Sequence, residues 1–122
     1  MSGKNPDTAI ISIQDAATAE RFRYALVSAI PSMGRVEFYG AKPAVERAAA
    51  GTCGLLIGDE AVAEAAPEDG DIGCPFLAVG DKPGWKPAGA WDVLSPGREA
   101  SELESYFRGF ASALRSAGIG PD

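Results

Sequence analysis

The chain has 122 residues, of which 46% are hydrophobic and 23% charged, a composition typical of a globular domain and too apolar for intrinsic disorder. The formal net charge is −6 and the 11 Lys and Arg are scattered, which argues against a nucleic-acid partner, because such binders display clustered cations. The chain has no histidine and its two cysteines lack a metal-binding spacing, which excludes a zinc site and a His-based catalytic relay.

The hydropathy pattern predicts a cytoplasmic protein with no membrane partner. No stretch approaches the roughly 18 apolar residues of a membrane span, and no hydrophobic run follows Lys4 near the N-terminus. We expect one domain over residues 1–122, with flexible termini at 1–7 and 118–122.

The first third of the chain predicts a strand, a helix and a second strand. Thr8 to Ile13 is β-branched and favours a strand. Apolar residues then recur at spacings of three and four from Phe22 to Ile30, which indicates a helix that ends before Pro31. Arg35 to Tyr39 predicts the second strand.

The middle of the chain predicts two short helices around a buried strand. Lys42 to Ala50 is rich in alanine and is followed by Gly51, a residue that commonly closes a helix. Cys53 to Ile57 is almost continuously apolar, as in strands covered on both faces. Glu60 to Ala66 predicts a short helix that ends at Pro67.

The last third departs from regular strand and helix alternation. Pro75 to Val79 and Trp91 to Leu94 predict strands, but the prolines between Gly80 and Ala88 forbid a helix there. Glu99 to Ala117 carries a clear apolar stripe and predicts the final helix. The chain is therefore predicted to be an α/β protein with a doubly wound, five-stranded parallel sheet in the order 2-1-3-4-5, lacking the helix between strands 4 and 5.

Several segments resemble the response-regulator receiver family. The run from Gly89 to Pro96, Gly-Ala-Trp-Asp-Val-Leu-Ser-Pro, is similar to the family's Gly-Ala-Asp-Asp-Tyr-Leu-x-Lys, and Pro75 to Val79 resembles its fourth strand. Gln14 and Asp15 stand where the family has a pair of acids, and Asp59 stands at the usual distance for the phosphorylated aspartate. The resemblance spans nearly the whole chain and implies a flavodoxin-like fold and a role in two-component signalling.

The resemblance also implies a site that is degenerate in this chain. In the family the acidic residues bind Mg²⁺, and a lysine and a Thr or Ser stabilise the transferred phosphoryl group. Here Gln14 replaces one acid, and Gly80 and Pro96 replace the hydroxyl and the lysine. Val93 stands where the family has a switch aromatic. We therefore expect little or no phosphorylation and no cofactor, with Mg²⁺ relevant only if the residual acidic site functions.

Two acidic residues have both a chemical and a structural interpretation. Asp59 is the candidate phosphoacceptor, and Asp15 and Asp59 are the candidate metal ligands. Each also precedes a predicted helix, where a carboxylate is an ordinary N-cap. The glycines at 58 and 80 could admit an anion, but no Gly-x-Gly-x-x-Gly run accompanies them.

A pair of tryptophans and the last helix form the candidate interaction surface. Trp85 and Trp91 could anchor a protein partner or a homodimer, or could cover the core that the missing helix leaves open. Arg108 and Arg115 on the polar side of the last helix would extend the surface. The cysteines are interpreted as small buried residues near the starts of adjacent strands, without a redox role.

Three hypotheses follow from these observations. The first is a receiver-like signalling module that binds a signalling or scaffold protein without phosphorylation, and that is not an enzyme. The second is a weakly phosphorylated receiver with Asp59 as acceptor. The third is a flavodoxin-like domain that binds a small anion or ligand at the carboxyl ends of the strands.

Overall fold

The computed structural model describes residues 8–51, 53–68 and 72–116, with side chains to residue 113. The sequence-based expectations for the termini, residues 1–7 and 118–122, therefore lie outside the described residues. The elements in chain order are β1 (Thr8–Ser12), α1 (Ala16–Ala29), β2 (Arg35–Phe38), α2 (Ala41–Ala49), β3 (Leu55–Gly58), α3 (Glu60–Ala65), β4 (Phe76–Val79), β5 (Ala90–Leu94) and α4 (Ala100–Ser116).

The five strands form one parallel sheet in the order β2-β1-β3-β4-β5. This is the predicted topology, and it places β1, β3 and β4 in the interior of the sheet. Every residue of these three strands is buried, because helices cover both of their faces. Their carboxyl ends meet at one edge of the sheet, where doubly wound folds place their sites.

Two apolar clusters hold the helices on the sheet. One packs α1 and α4 on one face, with Phe22 and Phe107 both fully buried and their rings in edge-to-face contact at 6.5 Å between centroids. The other packs α2 and α3 on the opposite face, around Ile10, Leu56 and Phe76. The carboxyl edge of the sheet thus lies between two helical layers.

The chain from β4 to β5 contains turns and no helix. Residues 80–89 are all described, and this outcome confirms the predicted loss of that helix. The prolines at 83 and 87 account for it, because proline lacks the amide that a helix interior requires. The edge strand β5 is therefore flanked by a loop on the face that α2 and α3 occupy.

Most element boundaries agree with prediction to within two residues. The third strand begins two residues later than predicted, at Leu55, so Cys53 precedes the strand. At the end of α2, Gly51 adopts a φ of 77°, a left-handed conformation that glycine tolerates, and its amide donates to Ala48. The predicted glycine stop is therefore confirmed.

Candidate functional site

An acidic cleft of about 470 Å³ lies at the carboxyl ends of β1, β3, β4 and β5. It is lined by Ile13, Gln14, Asp15, Thr18, Asp59, Glu60, Ala61, Glu64, Val79, Gly80, Asp81 and Pro96. Among these described lining residues five are carboxylates and none is Lys or Arg. The cleft brings together Gln14, Asp15, Asp59, Gly80 and Pro96, all singled out from the sequence as site positions.

Asp59 is the first residue after β3, and its side chain holds two chain segments in place. The Ala61 amide donates to Oδ1 at 3.1 Å, which makes Asp59 the N-cap of α3. The backbone amide of Gln14 donates to Oδ2 at 2.9 Å and links the loop after β1 to the start of α3. The capping role that the sequence suggested is present, and both carboxylate oxygens accept from the backbone.

Asp15 caps α1 in the same manner. The amide of Thr18 donates to Asp15 Oδ2 at 3.0 Å, and the Thr18 hydroxyl donates to the same oxygen. The hydroxyl first and the amide second hold the pKa of the Asp15 carboxyl below its usual value, against a smaller opposing effect of burial. Asp15 is therefore a structural carboxylate whose charged form the helix terminus favours.

The residues present do not fit a divalent metal ion. A hard cation such as Mg²⁺ needs several oxygen ligands that converge on one point. Within residues 8–51, 53–68 and 72–116, no three acidic or cysteine side chains come close enough together to hold one. Asp15 Oδ2 is directed to Thr18 and the Asp59 oxygens to backbone amides, so the two candidate ligands serve as helix caps instead.

Gly80, in the hydroxyl position of the receiver pattern, lies under the ring of Trp85. A Cβ atom at residue 80 would lie 2.8 Å from Trp85 Cε3 and closer still to Cζ3. No Ser or Thr fits there while the ring keeps its place, since real Cβ atoms do not approach that closely. A larger residue at position 80 would therefore displace the Trp85 ring from its place in the loop that replaces the missing helix.

Trp85 itself is half-buried and packs against the cluster that includes Phe76 and Val93. The sequence favoured an exposed interface anchor at this position, with core covering as the alternative. The ring packs against this cluster, as in the covering alternative, and stays partly exposed. Val93 is also half-buried and packs against the same cluster.

Pro96, in the lysine position, supplies a carbonyl and no cation. Its oxygen accepts from Arg21 Nη1 at 2.9 Å, which joins the loop after β5 to α1. The Arg21 guanidinium is thus directed to the backbone, and Arg21 does not line the cleft.

A lysine near the cleft was missed by the sequence analysis. Lys82 Nζ lies 3.1 Å from Glu60 Oε2 and links the loop after β4 to the first turn of α3. Both side chains are largely exposed, so this ion pair stabilises the fold little. The signal available in the sequence was position, because each residue lies within three residues of the carboxyl end of an interior strand.

An aromatic group lies on the other face of the edge strand. Trp91 is 47% exposed, and its ring meets Phe110 of α4 edge to face at 6.1 Å. Tyr106 stacks on Phe110 at 6.2 Å and donates from its hydroxyl to Asp92 Oδ2 at 2.9 Å. Burial first, and the hydrogen bond to Asp92 second, raise the pKa of Tyr106 well above its usual value.

The two tryptophans do not form one patch on one face. Trp85 packs on the side of α2 and α3, whereas Trp91 packs on α4, with β5 between them. The irregular register between Phe76 and Leu77 contributes to this arrangement, because a bulge changes the face to which a strand residue points. The surface expected from the sequence is therefore divided by the edge strand.

The two arginines of the predicted surface both belong to α4. Arg108 Nη2 lies 3.3 Å from Glu104 Oε1 one turn earlier in α4, and Arg108 is exposed. The backbone of Arg115 belongs to α4, and its side chain lies outside the described residues.

The comparisons with known proteins bear on the fold. No family model matches the chain, and no curated protein matches it significantly. The crystal structure of a CheY-like protein, TadZ from Pseudomonas aeruginosa PAO1, does match. Its TM-score is 0.53 at 20% sequence identity, over 84% of this chain and 97% of that chain. The fold is thus CheY-like, as the sequence resemblance implied.

None of the described helices is long and apolar enough to cross a membrane.

Proposed function

We propose that this domain is an atypical receiver-like signalling module that acts by binding protein and is not phosphorylated. The fold is CheY-like, and the residues at the carboxyl edge of its sheet act as helix caps or pack against the loop after β4. The partner is a signalling or scaffold protein, or a second copy of the chain. The proposed role is not enzymatic, and the proposed location is the cytoplasm.

The observation that carries the proposal is the packing of Trp85 on Gly80. A receiver needs a hydroxyl residue at this position to contact the phosphoryl group and then to move. Here the ring occupies the space that such a side chain would need. A module built in this way has its binding shape in the resting state.

The charge of the cleft supports the same conclusion. A phosphoryl group in transfer carries negative charge that fixed cations must stabilise. The described lining residues include five carboxylates and no Lys or Arg, and Lys82 beside the cleft is paired with Glu60 alone. The remaining negative charge repels a phosphate donor. An acidic cleft likewise disfavours the anion-binding alternative.

The edge formed by Trp91 and the exposed face of α4 is the proposed binding surface. Trp91 is one of three large hydrophobic residues of the described chain that are markedly exposed. It is held in place by Phe110, so docking would cost little conformational entropy. Exposed Arg108 lies on the same helix and adds a polar contact at the rim.

The direct test is incubation with Mg²⁺ and acetyl phosphate, followed by intact-mass measurement. We expect the unmodified mass for the wild type and for Asp59→Asn. Any receiver of known activity serves as the positive control in the same tube. A stoichiometric phosphate adduct that is absent from Asp59→Asn would overturn the proposal and establish the weakly phosphorylated receiver.

A further inference from the structure

The two cysteines lie side by side at the amino ends of adjacent strands. Their sulfur atoms are 3.5 Å apart, although 20 residues separate them in the chain. Cys53 lies just before β3, and Cys74 lies just before β4. This end of the sheet is opposite to the acidic cleft, so the pair forms a separate site.

The backbone on both sides of the pair is anchored. The Gly54 amide donates to the Thr8 carbonyl of β1 at 2.8 Å, which fixes the chain next to Cys53. On the other side Ile72 is buried, and Gly73 adopts a φ of 95° close against α2, where a Cβ would lie 2.7 Å from the Ala48 oxygen. The backbone next to each cysteine is therefore held against the sheet or α2 by these contacts.

The two thiols differ in exposure. Cys53 is 2% exposed, whereas Cys74 is half-buried and can be reached from solvent. The hydrogen bond with Cys74 lowers the pKa of the Cys53 thiol, and burial opposes this effect. A partly exposed thiol beside a buried one is a suitable pair for attack and resolution.

We propose that Cys53 and Cys74 are a redox modification site that forms a reversible intramolecular disulfide with a low-molecular-weight disulfide as oxidant. This inference departs from the inert role expected from the sequence, where no Cys-x-x-Cys spacing signalled a pair. It does not depend on the proposed function, and it can hold whether or not the domain is phosphorylated.

The exchange has two steps. The Cys74 thiol loses its proton to solvent, and its thiolate attacks one sulfur of the oxidant, which forms a mixed disulfide and releases one thiolate of the oxidant. The Cys53 thiol then loses its proton, and its thiolate attacks Cys74 Sγ and expels the second thiolate. The two released thiolates take up the two protons that the protein thiols lost. Two protein thiols are oxidised and one molecule of the oxidant is reduced to two thiols.

The bond would cross-link the segment that contains β3 and α3. In the unfolded chain it closes a loop of about 22 residues, which restricts the unfolded ensemble and raises the melting temperature by roughly 10 °C. Oxidation thereby stiffens the amino ends of two interior strands and leaves the acidic cleft unblocked.

The test is equilibration of the folded protein in buffers of reduced and oxidised glutathione, with acid quench and intact-mass measurement. We expect the wild type to lose two hydrogen atoms in mass, to lose both titratable thiols together and to remain monomeric on a non-reducing gel. The melting temperature should rise in the same samples and return on reduction.

Matched variants separate the two steps. Cys53→Ala keeps a small apolar group in the core and should accumulate a glutathione adduct at Cys74, because no second thiol resolves it. Cys74→Ser should acquire far less adduct, since Cys53 is buried. Neither variant should show the rise in melting temperature.

Disulfide formation in the unfolded chain shows how much the fold contributes by holding the two cysteines close together. The same equilibration in concentrated urea should require a glutathione buffer at least tenfold more oxidising to reach half conversion, where tenfold is an order-of-magnitude estimate for a pair held by the fold. Equal conversion of folded and unfolded chains would overturn the inference. So would a stable mixed disulfide, two unreacted thiols or an intermolecular disulfide in the folded wild type.

Discussion

At the scale of single residues, the two aspartates at the carboxyl edge of the sheet stand at positions similar to the acidic residues of receivers, but they act as helix caps. Asp15 and Asp59 follow β1 and β3, as acids do in receivers, but each accepts hydrogen bonds from the helix that it precedes. A carboxylate at a helix N-terminus is favoured by free amides and by the helix dipole, so no metal is needed to hold it there.

The cap at Asp15 predicts a dependence of stability on pH. Its pKa in the folded protein lies below the unfolded value, near 3.8, because Thr18 donates to the charged form. The stabilisation is therefore complete above that value and is lost as pH falls through the folded pKa. The excess in unfolding free energy of wild type over Asp15→Asn should be constant from pH 7 to about 5 and shrink below pH 4.

Chemical denaturation of both proteins at each pH measures this excess. Thr18→Val removes the hydroxyl donor and keeps the amide, so its pH dependence should lie between those of the other two proteins. An excess that grows as pH falls would contradict the role assigned to the cap.

The contact of Gly80 with Trp85 predicts energetic coupling. Gly80→Ala should lower the free energy of unfolding by about 1–3 kcal/mol in the wild type, because the new methyl group displaces the ring. In a Trp85→Ala background the same change should cost less than about 1 kcal/mol. Urea unfolding of the four proteins gives the coupling energy.

Gly109→Ala is the matched control for that cycle. A Cβ at residue 109 has no neighbour within 4 Å, and alanine favours the helix, so this variant should be more stable than wild type by up to about 1 kcal/mol. Additive effects of the changes at 80 and 85 would mean that the ring is not seated over the glycine in solution.

At the scale of elements, a loop stands between β4 and β5 in place of a helix, and its Trp85 packs on the sheet face that such a helix would cover. The loop contributes Trp85 to the α2 and α3 face, and Lys82 to the ion pair with Glu60. Strand β5 is thereby left as an edge strand with half-exposed residues, in contrast to the buried β4 beside it. An edge strand with an exposed aromatic is a natural site of association.

Trp91→Ala tests this surface. We expect it to weaken association by about 1–3 kcal/mol, as for a truncated aromatic anchor, and to change the unfolding free energy by no more than about 1.5 kcal/mol, the value of a ring pair. Sedimentation over a concentration series measures self-association, and urea unfolding measures stability.

Tyr24→Ala is the control for that experiment, since Tyr24 is an exposed aromatic of α1, at 56% exposure. It should leave association unchanged. If both variants behave alike, or if the wild type stays monomeric at millimolar concentration, the homodimer through Trp91 is wrong, and the edge remains a surface only for another protein.

At the scale of the whole molecule, stability should decrease from the centre of the sheet to the β5 edge. Strands β1 and β3 are bonded on both sides and covered on both faces, whereas β5 is bonded on one side and has exposed residues. Local opening free energies follow burial and bonding, so the edge should open before the centre does.

Native-state hydrogen exchange measures this gradient. The amides of Ile10 in β1 and Ile57 in β3 should exchange at the rate of global unfolding. The Gly80 amide, which donates to the Leu94 carbonyl of β5 at 3.0 Å, should exchange at least tenfold faster, as an order-of-magnitude expectation for sub-global opening. Uniform protection across the sheet would contradict the gradient and would mean that the loop stabilises the edge as well as a helix does.

The order of the elements, the parallel sheet 2-1-3-4-5 and the loss of the helix before β5 could all be predicted from the sequence. These features depend on local patterns: apolar strands, periodic helices and prolines at 83 and 87. The capping roles of Asp15 and Asp59 were also available, as alternatives to chemical roles, because a cap acts within one turn of helix.

Only the tertiary structure decided which residues meet across the chain. The ring of Trp85 over Gly80, the opposite faces of the two tryptophans and the 3.5 Å between the cysteine sulfurs depend on how strands and loops pack, and periodicity in a sequence carries no information on such distances.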